Sequence, residues 1–487
     1  MWEQASAVDL AAAMGRGEVT AAELTLAALE RVAVDQGESG ANSMLEVNPD
    51  AVAAAEALDR ERQVRGARGP LHGIPVVLKD NIDTGDRMHT SAGSLALADS
   101  YAAHDAFLVR RLRQAGAVVL GKANMTEWAN FISDHMPSGY SSRGGQVRNP
   151  YGPGRFDPGG SSSGSAVAVA TGVAPLAVGT ETSGSILSPA SQNGVVGIKP
   201  TVGLVSRSGV VPISFTQDTA GPMARTVRDA ALLLDALAGV DEEDPATGAQ
   251  VGRVPASYAE GLDPGALRGA RLGVARSPYV DRLDEGRRRV FEAALEALRA
   301  AGATVVDPVA IATADGPWDF TLLVYEFKPA LNAYLAGLSP RLPARSLAEL
   351  IAYNEAHPET MLRYGQALFL RAEATSGRLT DPEYVETRLR YRRWAREEGI
   401  DRTLADHALD AILFPNNRGA GIAAAAGYPS ITVPAGLTEE GEPVGLTFTG
   451  TAFSEARLIA LAYAFEQATH LRRPPPDPRP RPLSGTV

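Results

Sequence analysis

HDAFLVRRLRQAGAVVL, residues 104–120, carries the decisive pattern of this chain. Phe107, Leu108 and Leu112 recur at helical spacing, with His104-Asp105 placed to cap the helix. Gly116 ends it, and Ala117-Val118-Val119-Leu120 follows as an unbroken apolar run. Such a run fits a strand buried on both faces. Upstream, Ile74, Val76, Val77 and Leu78 make a second apolar run that stops at Lys79-Asp80-Asn81. Helix, glycine and apolar strand in succession predict an α/β chain whose covered sheet has many parallel strands.

Outward from this segment the same grammar continues. Thr20-Ala-Ala-Glu23 is a capping box, and Leu24, Ala28 and Val32 share the face of the helix it opens. A helix after Pro49-Asp50 runs through Ala54, Leu58 and Glu61, and another closes the first half over residues 229–239. Strand patterns return at 410–415 and 430–434, before a last helix at 454–466. Residues 138–165 lack periodicity and are rich in Gly, Ser, Arg, Asn and Pro. Because an apolar run follows at once, an ordered loop is expected there, not a linker. One domain is expected over residues 1–471: a core at 50–240 and 405–471, and a variable helical pocket region at about 255–405. The Pro/Arg-rich tail, 472–487, is expected to be disordered.

Composition removes several chemistries. The 487 residues include no cysteine, so disulfides, thiolate nucleophiles and cysteine metal sites are excluded. Seven histidines are present and none forms HExxH, so no metal and no cofactor is expected. Lys and Arg number 46 against 57 Asp and Glu, a net charge of −11, which argues against a nucleic-acid partner. The first ten residues lack the basic start and apolar segment of a signal peptide, so a cytoplasmic location is expected. The least polar stretch, 165–180, is short for a membrane span and is interrupted by Gly172 and Pro175.

Four motifs carry candidate chemistry. GAVVLGK at 116–122 imitates a phosphate loop, but Ala123 stands where a magnesium-binding hydroxyl is needed and the middle residues read as strand. GSSSG at 160–164 matches GxSxG, yet a Gly/Pro-rich stretch precedes it instead of a buried strand. GGSSSGSA at 159–166 and GTETSGSI at 179–186 are two small-residue loops around one apolar helix. With Lys79 at a strand end, they suggest hydroxyl nucleophile chemistry without histidine.

LHGIPVVLKDNID (71–83), GKANMTEWAN (121–130), the two Ser/Gly loops, AGYPSITVPAG (426–436) and PVGL (443–446) together resemble the amidase signature family over essentially the whole chain. The resemblance implies a large mixed central sheet covered by helices on both faces. It implies a Ser–cis-Ser–Lys triad, with Ser185 as nucleophile, Ser161 as the serine after a cis bond and Lys79 as base. A lysine accepts a proton only when neutral, so Lys79 has to be desolvated. Backbone N–H groups of Thr182, Ser183, Gly184 and Ser185 are expected to form an oxyanion hole. Ser163 is expected to support Lys79, and a carbonyl near Ala129 to line the amine side.

Two departures bear on substrate. Ser183 replaces a glycine common in the family, and Leu187 and Ser188 stand where family members often carry Arg. The form of these loops, with GYSSRGGQVRNPY upstream (139–151), is closest to peptide-amidase-like members. The expected activity is hydrolysis of a neutral, partly apolar small-molecule amide through an acyl-enzyme. Arg363 and Arg371 are the residues that could restore a cation from the variable region. The alternatives are the catalytic subunit of an amidotransferase and a non-catalytic binding protein. No membrane partner is expected, and the sequence is compatible with a homo-oligomer.

Overall fold

The computed structural model describes residues 2–477. Its strands in chain order are β1 (Met44–Val47), β2 (Pro75–Lys79), β3 (Val118–Ala123), β4 (Tyr140–Ser141), β5 (Gly145–Gln146), β6 (Leu176–Glu181) and β7 (Val196–Lys199). There follow β8 (Thr219–Ala224), β9 (Arg271–Ala275), β10 (Thr304–Val309), β11 (Ala411–Pro415), β12 (Ser430–Leu437) and β13 (Pro443–Thr449). All but the β4–β5 ribbon join one 11-stranded sheet, in the order β1-β3-β2-β6-β8-β7-β12-β13-β11-β9-β10. β3, β2 and β6 run parallel at one side, and β11, β9 and β10 at the other. The remaining neighbours are antiparallel, so the sheet is mixed, as the family resemblance implied.

The 104–120 segment folds as its pattern predicts, with a helix at Phe107–Gln114 and strand β3 after it. Gly116 turns the chain at φ +81, where a Cβ would stand 2.9 Å from His72 Nδ1. The cap differs from expectation. Asp105 accepts from the Gly85 N–H at 2.8 Å and from Arg113 Nε at 2.9 Å, so it does not cap the helix. The Thr20 capping box forms, with both reciprocal bonds present. The loop before residue 165 is ordered: Asn149 Nδ2 donates to the carbonyls of Asp157 and Gln192, and Gly159 N–H to Asp157 Oδ1.

The expected variable region does not begin at 255. β9, β10 and the helix between them, Glu285–Ala300, complete the main sheet and its cover. The charged, strongly periodic helix outweighs two short strands in the sequence, which is why the stretch reads as helical. The added helical layer is later: Thr321–Ala336, Leu347–Ala356, Ala367–Glu373 and Pro382–Ala395. The first three build a second apolar core on Trp128, Phe131 and Ile132, with Phe131 4.8 Å from Phe327 and Trp128 5.7 Å from Phe369, ring to ring.

Residues 472–477 of the expected disordered tail lie against the body. Tyr151 OH donates to the Arg473 carbonyl at 2.5 Å, and Arg31 pairs with Asp477 at 3.3 Å. Residues 478–487 lie outside the described residues. No helix among the described residues is long and apolar enough to cross a membrane.

Candidate active site

Strand direction assembles the site. β2 and β6 are parallel neighbours, so Lys79 at the end of β2 faces Thr180 and Glu181 at the end of β6. The carboxyl ends of parallel strands are where α/β sheets place their ligands. The antiparallel pairing of Glu181 with Thr219 brings Asp218 to the same edge. The helix Ser163–Thr171 packs on β2, β3 and β6 and carries Ser161 just ahead of its first turn.

Lys79 is fully buried, and its Nζ donates to Ser161 Oγ at 2.7 Å, Thr180 Oγ1 at 2.8 Å and the Thr180 carbonyl at 3.3 Å. Burial lowers its pKa to about 7, against the opposing charges of Glu181 and Asp218. Asn81 Nδ2 donates to the same Thr180 hydroxyl at 3.0 Å, fixing its orientation. The Gly160–Ser161 peptide is cis. The N–H of Ser162 donates to the Ser185 carbonyl at 3.1 Å, so the two serine loops meet here. Ser185 is 8% exposed, the remainder being covered by protein.

Two expected roles are corrected. Ser163 Oγ donates to the Gly159 carbonyl one turn back, and Thr180 supports Lys79 in its place. Gly184 cannot offer a free N–H, because Glu181 Oε1 accepts it at 2.8 Å. The other oxygen of Glu181 accepts from the N–H groups of Ile186 at 2.7 Å and Leu187 at 3.0 Å. Among the described residues no protein acceptor takes the N–H of Thr182, Ser183 or Ser185. Gly184 still has to be glycine-like in conformation, at φ +87.

Glu181, Thr180, Asn81 and Asp218 were not singled out from the sequence. Glu181 had a local signal, a lone acid four residues before the candidate nucleophile and inside a small-residue loop. Asp218 had none. It accepts from Thr182 Oγ1 at 2.5 Å and from the N–H groups of Ile213 and Ser214, both at 2.8 Å. Burial pushes its carboxyl up to about 6, against these bonds and the charge of Arg207.

Two clefts flank the 179–186 loop. One, of 510 Å³, is lined by Asn81, Ala129, Thr180, Thr182, Asp218 and Tyr334 among others. Trp128, Ala129 and Asn130 turn through left-handed backbone at φ +51, +52 and +70 to reach it. The second, of 560 Å³, is lined by Ser183, by Arg371 and Tyr391 of the helical layer, and by Tyr279, Trp318 and Phe320. Arg363 lies elsewhere, over the rings of Tyr140 and Tyr364. Lys122 of the phosphate-loop look-alike is buried and donates to the Ile82 carbonyl at 2.6 Å and Thr90 Oγ1 at 3.0 Å, so it holds a loop instead of a phosphate.

The family model described as Amidase matches residues 23–420. The chain belongs to the amidase signature family. It is an amidase. It is 44% identical to a probable amidase of Arabidopsis thaliana, over 97% of this chain and 91% of the relative. The X-ray structure of native peptide amidase from Stenotrophomonas maltophilia superposes with a TM-score of 0.92 at 51% identity, covering 97% of this chain and 99% of that one. A glutamyl-tRNA(Gln) amidotransferase subunit from Halorhodospira halophila is 34% identical, over 97% of this chain and 99% of the relative.

Proposed function

We propose that this amidase hydrolyses linear carboxamides through an acyl-enzyme on Ser185, and that peptide amides are its substrate class. The carrying observation is the buried Lys79 amine on the Ser161 hydroxyl. Its three acceptors match the three hydrogens of an ammonium. When the proton leaves, two hydrogens stay on Thr180 Oγ1 and the Thr180 carbonyl, and the freed lone pair faces Ser161 Oγ. Lys79 then takes the Ser161 proton as Ser161 takes that of Ser185, while Ser185 Oγ bonds to the substrate carbonyl carbon. The N–H groups of Thr182, Ser183 and Ser185 stabilise the resulting oxyanion. The proton returns along the same relay to the departing nitrogen as the C–N bond breaks. Water repeats the sequence on the ester, releasing the acid and restoring Ser185.

The reading draws on the likeness to peptide amidase for the amine side, where ammonia is the leaving group. Leu187 and Ser188, where family members often carry Arg, are buried and supply no cation beside Ser185. An unpaired carboxylate adjoining the reacting carbonyl is costly there, so the residue that bears the amide is neutral and partly apolar. A fluorophosphonate probe tests the mechanism. It labels Ser185, located by peptide mass spectrometry, and fails to label Ser185→Ala. Ammonia release from an acetyl-dipeptide amide tests the substrate. Turnover of glutamine with none of peptide amides would move the reading to ammonia transfer.

A further inference from the structure

We propose that the 560 Å³ cleft beside Ser183 binds an anionic side chain of the acyl portion, so that the preferred substrates are peptide amides with an acidic residue upstream of the amidated one. This rests on the peptide-amide reading above and narrows it. The cleft is lined by Arg282, Arg371 and Arg418, from three separate parts of the chain, with Trp318 in its wall. Among the described residues none of the three guanidiniums is in an ion pair, unlike Arg276, which is matched by Glu292 and Asp307. One acid faces them: Asp319, which accepts from Tyr391 OH and the Thr321 N–H, both at 2.9 Å.

Three positive charges against one negative contrast with the whole chain, whose net charge is −11. Such a cleft focuses field on an incoming anion, and guanidinium forks match carboxylates in geometry. The arginines belong to the loop after β9, the helical layer and the loop after β11, whereas the nucleophile loop supplies only Ser183. Ser185 itself does not line this cleft, so the charge meets the substrate away from the scissile bond and leaves the residue bearing the amide neutral.

The test compares acetyl-Glu-Leu-amide with acetyl-Gln-Leu-amide on the full chain. The Glu peptide is expected to have about tenfold higher kcat/KM, carried by KM, as exposed charge pairs of this number allow. In about 0.5 M salt the preference shrinks, because the arginines are exposed. The Arg282→Gln/Arg371→Gln/Arg418→Gln variant brings the ratio to about one, and Arg371→Glu turns it toward acetyl-Lys-Leu-amide. Equal turnover of the Glu and Gln peptides by the wild type overturns this inference alone. A preference that survives the triple substitution or high salt does the same. Turnover of neither peptide, with Ser185 unlabelled by the fluorophosphonate, overturns the underlying reading as well.

Discussion

In the proposed mechanism Lys79 acts only after it loses its proton, and burial sets the pH at which that happens. With its pKa lowered to about 7, kcat/KM is expected to fall as pH drops below about 7 and to level off above it. A pH–rate profile checks this; a flat profile from about pH 5 to 9 would falsify the lysine base. Lys79→Ala should lose about a thousandfold in kcat with little change in KM, since among the described residues no second base touches Ser161 Oγ. Glu181 has two effects that separate in measurement. Its charge raises the Lys79 pKa, and its oxygens hold three backbone N–H groups of the nucleophile loop. Glu181→Gln should therefore move the acidic limb to lower pH and also reduce plateau kcat. A reduced plateau with an unmoved limb would show that only the loop contacts matter.

At the level of elements, the site depends on how closely the helix Ser163–Thr171 sits on its neighbours. A Cβ on Gly164 would come within 2.3 Å of the carbonyl oxygens of both Asn124 and Ser43. Gly164→Ala should cost about 1–3 kcal/mol through overpacking and displace Ser161 with it, seen as a lower Tm and a lower kcat together. This element also marks where sequence reading succeeds. Apolar runs revealed β2 and β3, and the proposed triad residues lie in small-residue loops and at a strand end whose composition is unusual enough to see. Glu181 and Thr180 escaped because their partners are backbone groups and a lysine 101 positions away. The residue type says nothing of those contacts. Asp218 comes to the site only through the β6–β8 pairing, a long-range register that no local pattern encodes. β9 and β10 were lost for a different reason, being five- and six-residue strands beside a 16-residue charged helix.

On the scale of the whole molecule, the helical layer and the sheet meet across the cleft. Phe369 is fully buried against Trp128 and Phe327, on the same short helix that carries Arg371. Phe369→Ala should cost about 3–5 kcal/mol and raise KM more than it lowers kcat, because the layer loosens while Lys79 and Ser161 keep their own contacts. Steady-state kinetics beside a thermal melt will separate the two. The strand order has a consequence for synthesis. β12 and β13, among the last elements to leave the ribosome, occupy the middle of the sheet between β7 and β11. Until they emerge, β7 presents an open edge and the β11, β9, β10 group has nothing to join. Nascent chains of this protein therefore expose unpaired, aggregation-prone strand edges until then. A chain ended at residue 429 should accumulate in the insoluble fraction even though every proposed catalytic side chain is present in it.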